Sequence, residues 1–406
     1  MKLVFILGKK FLKFLSKRNF DLLSLNKEQQ EKFLSTIEKK KELDYYDRSY
    51  LQYKCQMFFY SKADQVILNV VSCFLLIPFT ILALLNFLLM QISDSKFSKE
   101  HFLVRNENIA VFYGNDMNII PESLSERYYI TKSKNLIVLD LRSFLFLLKN
   151  VYLRFFYHPY FCLKTAIKVA LYNANILINK PKVLIVTSEY SFTSSILTRY
   201  CEICGCEHIN IMHGDKLFYI RDSFFKFHKC YVWHEHYIDL FKKLRADEDQ
   251  FVVELPVSFN FKNIYPKDEH NSDKRILKYF LGGETKKQLY QLSNFLKLLQ
   301  DNFHIIIRPH PLNLNMKEIT EIFNGIQIEN PSEIPITKSL LQADYVSALY
   351  STVLFQGYCL DREIVINDLD KGIYNKLKEL DFIGFKLPHL LLTSFYDKSC
   401  SMFSES

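Results

Sequence analysis

The run Phe303-His304-Ile305-Ile306-Ile307-Arg308-Pro309-His310-Pro311 limits what this chain can fold into more than any other stretch. Three consecutive isoleucines read as a strand buried on both faces, the kind found in parallel sheets. The strand must stop at Arg-Pro-His-Pro, because neither proline can donate to a ladder and each biases the residue before it away from α. Arg308 and His310 are therefore expected in a rigid, extended loop at the carboxyl end of a central strand. Open α/β sheets bind ligands at that edge. A guanidinium and an imidazole fixed there suit a phosphate group, and a solvated surface loop is the plainer alternative.

A second stretch favours the phosphate. Ala343 to Ala348 and Glu363 to Asn367 read as strands, with Val353 to Leu360 as a helix between them. Ser351 and Thr352 fall at the turn into that helix. Hydroxyl residues there cap the first turn, and its free N–H groups make an anion site.

With these motifs the chain resembles the nucleotide-binding half of GT-B glycosyltransferases. The resemblance runs from Arg275 to Asn367 and is carried by the RPHP loop, the Tyr350-Ser351-Thr352 turn and the Val365-Ile366-Asn367-Asp368 strand end. It is nearest to bacterial surface-polysaccharide enzymes: sialyltransferases, Kdo transferases and CDP-glycerol glycerophosphotransferases. The resemblance implies that His310, Ser351 and Thr352 bind the phosphate of a cytidine nucleotide.

The length allows two domains, each with ample core. A hydrophobic content of 49%, with 36 Phe and 25 Tyr, argues for a folded chain. The formal charge of +8 is spread widely, which fits an anionic membrane surface or a nucleotide better than a dedicated nucleic-acid binder. Nine cysteines read as free thiols in a reducing compartment. No cleavable signal peptide is evident, so the expected location is the cytoplasmic face of the inner (plasma) membrane.

The membrane enters through residues 65–93, which contain no charged residue. Length alone would make this a transmembrane helix. The lysines precede it, however, so a simple span would carry the rest of the chain outside, away from any nucleotide donor. Pro78 divides the run into halves of about a dozen residues, each roughly 20 Å long and too short to cross alone. A kinked or hairpin element dipping into one leaflet is expected, with a buried helix pair as the alternative. Before it, Leu3 to Leu7 reads as an apolar element and Lys39 to Lys41 as a solvated helix face.

Ile109 to Tyr113, Asn135 to Leu139, Lys182 to Thr187 and Cys230 to Trp233 read as further strands, and Tyr152 to Leu177 as mostly helical. The short strand Ile209 to Met212 ends on His213-Gly214-Asp215-Lys216. In a two-domain transferase this turn would face the phosphate loop across a cleft, where His213 or Asp215 could take the proton from an acceptor hydroxyl. Polyol-phosphate transferases have a similar His-Gly turn followed by lysine; the acidic motif of sialyltransferases is absent. Three other groupings are read as decoys: Tyr157-His158-Pro159, Cys201/Cys204/Cys206/His208, and His234-Glu235-His236. The first is a His-Pro pair with no strand before it; the second has ligand-like elements but runs from a helix end straight into a strand, where zinc sites pair separated knuckles; the third is not the i, i+4 histidine pair of a metalloprotease helix.

Asn260 to Asp273 is polar and contains Pro266, which makes it the expected linker. Beyond it, Gly282 and Gly283 sit between a strand and a helix, where the backbone could approach a phosphate closely. Glu329, at the end of Ile326 to Ile328, could meet a ribose. The residues after Asp368 read as helical, with a tail that packs back on the first domain.

The expected architecture is α/β: two Rossmann-like domains in a GT-B-like pair, with an apolar helical segment in the amino-terminal half. The first, acceptor-side domain spans 1–266 and the nucleotide-sugar-binding domain 267–406. The expected activity is transfer of a sugar from a CMP-linked donor to a lipopolysaccharide or capsule glycan, or to a lipid-linked acceptor, with no metal and no cofactor. A CDP-polyol phosphotransferase and a catalytically inactive glycan-assembly subunit remain the alternatives.

Overall fold

The computed structural model describes residues 26–38, 42–97, 108–259, 274–311 and 315–396. Its frame is two six-stranded, wholly parallel sheets. The first contains β1 (Ile109–Tyr113), β2 (Tyr129–Lys132), β3 (Val183–Val186), β4 (Glu207–Ile211), β5 (Lys229–Val232) and β6 (Phe251–Val253), in the order β2-β1-β3-β4-β5-β6. The second contains β7 (Arg275–Phe280), β8 (Phe303–Arg308), β9 (Gln327–Ile328), β10 (Tyr345–Ala348), β11 (Glu363–Ile366) and β12 (Leu390–Leu391), in the order β12-β11-β10-β7-β8-β9. That is a Rossmann-type winding, and its strand order reverses between β7 and β10. The pair is the GT-B-like arrangement the motifs imply. The expected join near residue 266 lies outside the described residues, as do Leu3 to Leu7 and Lys39 to Lys41.

The helices used below are α1 (Lys27–Ile37), α2 (Tyr45–Phe58), α3 (Lys62–Phe97), α4 (Leu141–Leu147), α5 (Pro159–Asn179), α6 (Ser194–Ile203), α7 (Glu235–Lys243), α8 (Lys286–Leu299), α9 (Thr352–Cys359) and α10 (Lys371–Glu379). Caps follow the sequence closely. Asp44 accepts from the Asp47 amide at 2.6 Å, and Thr285 and Gln288 form a reciprocal capping box at the start of α8.

Two expectations need correction. Residues 62–97 form a single 36-residue helix that runs through Pro78, not a hairpin. A helix-internal proline removes one hydrogen bond and crowds the preceding turn, but here it lies on an exposed face of the helix. Asn135 to Leu139, expected as a strand, joins no sheet. Its amides are satisfied by helices: Val138 donates to the Ala170 carbonyl at 3.2 Å and Leu139 to that of Ala83 at 3.1 Å.

The two domains share one apolar cluster. Trp233 stacks on Phe355 with ring centroids 6.0 Å apart, and Phe259 packs against both. Polar links flank it. The Phe218 amide donates to the Leu380 carbonyl at 2.7 Å, and His236 Nε2 lies 2.8 Å from the carbonyl oxygen of Asp381. The Asp381 carboxylate also pairs with Lys27 and Lys243, but the chain then re-enters the second domain, where Leu392 and Phe395 join its core; the expected packing of the final tail on the first domain lies outside the described residues.

Candidate functional site

The strand order locates the crevices. In the second sheet the reversal at β7 and β10 puts Leu281-Gly282-Gly283 beside Leu349-Tyr350-Ser351-Thr352. The two loops run close: a Cβ placed on Gly282 would stand 3.4 Å from the Tyr350 carbonyl oxygen. Ser351 is the N-cap of α9, its hydroxyl accepting from the Val353 amide at 3.3 Å. Gly282 donates its amide to Glu284 at 2.6 Å, and Gly283 is exposed. Thus the Ser351/Thr352 helix start and the paired glycines, expected separately, meet at one switch point.

Arg308 and Glu329 are brought together, but with each other. Both are 4% exposed in their side chains, and Arg308 Nη1 pairs directly with Glu329 Oε1. Arg308 Nη2 donates to the Ile334 carbonyl at 2.7 Å, and Lys278 Nζ contacts Glu329 Oε2 at 2.6 Å. The expected phosphate and ribose contacts of these two residues are replaced in this structure by a buried three-residue network. His310, one step further along the same loop, is exposed.

Across the cleft, β4 delivers His213-Gly214-Asp215-Lys216. Gly214 has φ of 67°, a left-handed conformation that a side chain would strain. The turn is thereby folded so that Asp215 reaches the second domain. Its amide donates to Thr352 Oγ1 at 3.1 Å, joining the two halves of the site. Asp215 Oδ1 accepts from the Tyr237 hydroxyl at 2.8 Å and from the Lys216 amide at 2.7 Å; Oδ2 is buried without a hydrogen-bond partner. Burial pushes the Asp215 carboxyl up to about 7, against the smaller opposing effect of these donors.

Glu189, which the strand-by-strand reading passed over, sits at the carboxyl end of β3 and is fully buried. One carboxylate oxygen pairs with Lys216 Nζ and lies 3.8 Å from His213 Nδ1; the other accepts from Asn210 Nδ2 at 3.1 Å. Burial favours its neutral form, but the Lys216 charge, joined by His213 when that ring is protonated, outweighs this and holds it below the usual carboxylate range. Desolvation lowers the His213 pKa, with Glu189 acting in the opposite sense, and the ring is 45% exposed. A neutral, accessible imidazole beside a buried carboxylate can accept a proton. Lys216 keeps its charge, since Glu189 offsets the cost of burying it.

Several other histidines among the described residues bond locally. His208 bonds Thr198 at 2.8 Å and Tyr172 at 3.1 Å, His158 bonds Tyr50 at 2.7 Å, and His234 caps α7. No cluster of three or more His, Cys, Asp or Glu suited to a metal occurs among the described residues.

No protein-family profile matches this chain, and no curated protein sequence does. Solved structures do. A variant of the wall teichoic acid polymerase TagF is 13% identical over 73% of this chain and 79% of its own, with a TM-score of 0.41. A Listeria monocytogenes protein assigned as a UDP-N-acetylglucosamine 2-epimerase is 10% identical over 73% and 88%, with a TM-score of 0.45. The kitacinnamycin glycotransferase is 11% identical over 66% and 84%, with a TM-score of 0.39. The site is therefore read from this chain's own residues.

Proposed function

We propose that this chain is a GT-B-type glycosyltransferase that moves a sugar from a CMP-linked donor to a cell-surface glycan or its lipid-linked precursor. The observation that carries the reading is the hydrogen bond from the Asp215 amide to Thr352 Oγ1, at 3.1 Å. It ties the His213–Asp215 turn to the Ser351/Thr352 helix start, which supports reading the two as parts of one site. The donor phosphate sits at the start of α9, where the free amides, the Ser351 and Thr352 hydroxyls and exposed His310 face it, with Gly282 and Gly283 leaving room for its approach. His213 takes the proton from the acceptor hydroxyl as that oxygen attacks the anomeric carbon. The bond to the phosphate breaks, and CMP leaves with its charge stabilised by the helix start. In this reading no metal is required for departure.

A second reading, transfer of a polyol phosphate from a CDP-linked donor, uses the same cleft. It is favoured by Lys216, whose buried charge next to His213 suits an attack on phosphorus, where negative charge accumulates on the oxygens. A thermal-shift screen over CMP, CDP, UDP and GDP tests both. CMP is the leaving group in both readings, so selective stabilisation by cytidine nucleotides supports either, and release of CMP from a CMP-sugar or from a CDP-polyol in the presence of acceptor separates them. No stabilisation by any nucleotide would sink both and leave an inactive assembly subunit.

A further inference from the structure

Helix α3 has an apolar side that the rest of the protein does not cover. Phe74 is 77% exposed and Ile77 67%, and Val70, Ile81, Leu85 and Leu88 continue the same stripe at helical spacing. The opposite face, with Leu68, Ser72 and Ala83 buried, packs along α5. Apolar surface of this extent on a folded chain marks an interaction site.

The borders of the stripe say what covers it. Thr80 Oγ1 lies 3.0 Å from the Tyr152 hydroxyl, and Asn86 Nδ2 donates to the Ile137 carbonyl at 3.0 Å, so the segment around α4 adjoins α3. That segment exposes Leu141, Leu145 and Phe156 together with Arg142 and Lys149. Between Asp140 and Glu189 the sequence holds seven basic residues and no acidic one. Arg154 of this segment is paired with Asp44 and Asp47, and exposed Arg142 and Lys149, interspersed with the apolar groups, complement anionic lipid headgroups above acyl chains.

The packing also fixes the orientation. Asn69 Oδ1 accepts from the Tyr160 amide at 3.3 Å, and at the other end Ala83 and Asn86 bond Leu139 and Ile137. Contacts therefore hold α3 to the domain over about 26 Å of its length, close to the ~30 Å thickness of a hydrocarbon core. A crossing helix would have to drag α5 and the neighbouring β1 into lipid with it. We propose that α3 and the adjoining Leu141 to Tyr157 segment dock on an anionic bilayer, with α3 lying in the plane of the interface rather than crossing it. The proposal stands apart from the transfer reading, because it involves no residue of the cleft.

Full-length protein is floated with vesicles of phosphatidylcholine alone or with phosphatidylglycerol added. Wild type should float with the mixed vesicles. A triple variant, Phe74→Asp, Ile77→Asp and Ile81→Asp, should float at least tenfold less while melting as wild type does in detergent. Arg142→Glu with Lys149→Glu should remove the preference for phosphatidylglycerol. Fluorophores placed singly at positions 67, 77 and 88 should be quenched equally by a shallow lipid quencher. Wild type remaining unbound, whether monodisperse or self-associated through this face, overturns the proposal; so does undiminished flotation of the triple variant. A gradient of depth along the three positions overturns the in-plane orientation in favour of a span. Nucleotide stabilisation in detergent is read separately, so either proposal can fail alone.

Discussion

At the carboxyl edge of the first sheet, charged and titratable groups gather where the cleft begins: Glu189, His213, Asp215 and Lys216. At the same edge of the second sheet, the switch point carries glycines and hydroxyls, while Lys278 and Arg308 are both turned onto Glu329 inside the domain. One wall can move a proton. The other offers amides and hydroxyls, which hold an anion without themselves changing charge. The difference teaches that a charged residue near a predicted phosphate loop need not serve it; its partners decide.

The largest effect expected is on stability and comes from the second wall. Arg308→Met leaves the Lys278–Glu329 pair in place but removes two charged hydrogen bonds, to Glu329 and to the Ile334 carbonyl, which together cost on the order of 3 kcal/mol. Chemical denaturation should show that loss; if folding were unaffected and nucleotide affinity fell instead, Arg308 would belong to the ligand after all.

Next is the first wall. His213→Ala should lower turnover about 100-fold, with nucleotide affinity nearly unchanged. The pH profile separates the two candidate bases. His213 has a lowered pKa, so a histidine base stays neutral and active until the pH falls below the ordinary imidazole range. Asp215, raised to about 7, would lose activity already as the pH drops through neutrality. An acid limb near 7 that vanishes in Asp215→Asn would move the base to Asp215.

Smaller effects sharpen the contrast. Ser351→Ala, which removes the α9 cap, should weaken nucleotide binding by about tenfold, roughly 1.4 kcal/mol, and leave the pH profile in place. Asp215→Asn should act on stability in a pH-dependent way. A carboxyl whose folded pKa is raised favours the folded state below the unfolded pKa, and that advantage is lost as pH rises through about 7. The variant should thus gain on the order of 1 kcal/mol over wild type at pH 8 and little at pH 5. Equal midpoints at both pH values would mean that Asp215 is ionised and fully solvated.

Much of the frame was legible in the sequence. β7, β8, β10 and β11 are short apolar runs that stop on glycine, proline or hydroxyl residues, and such punctuation marks buried parallel strands. β2 was missed because it is an edge strand: Tyr129-Ile130-Thr131-Lys132 is half solvated and has no apolar run to betray it. Asn135 to Leu139 misled for the opposite reason, being apolar enough for a strand but bonded to helices. In the site, the Ser351/Thr352 start and the His213 turn could be placed because each ends a recognisable strand. Glu189 carried a weaker version of that signal, since Thr187 and Ser188 separate it from the end of β3. The Arg308–Glu329 pairing had no local signal, since the partners lie on β8 and just beyond β9 and meet only when those strands align.

The unbroken helix α3 also has a consequence for how the chain is made. Its covering partner α5 ends some 80 residues further along the sequence. At about 5–20 residues per second, the ribosome needs roughly 4–16 s to supply that partner. During that interval the whole helix, including the side later buried, is bare to its surroundings. Early capture by a lipid surface or a holdase would keep nascent chains from coalescing, and synthesis without either should yield aggregates, since even the finished domain buries only about 22% of the apolar stretch.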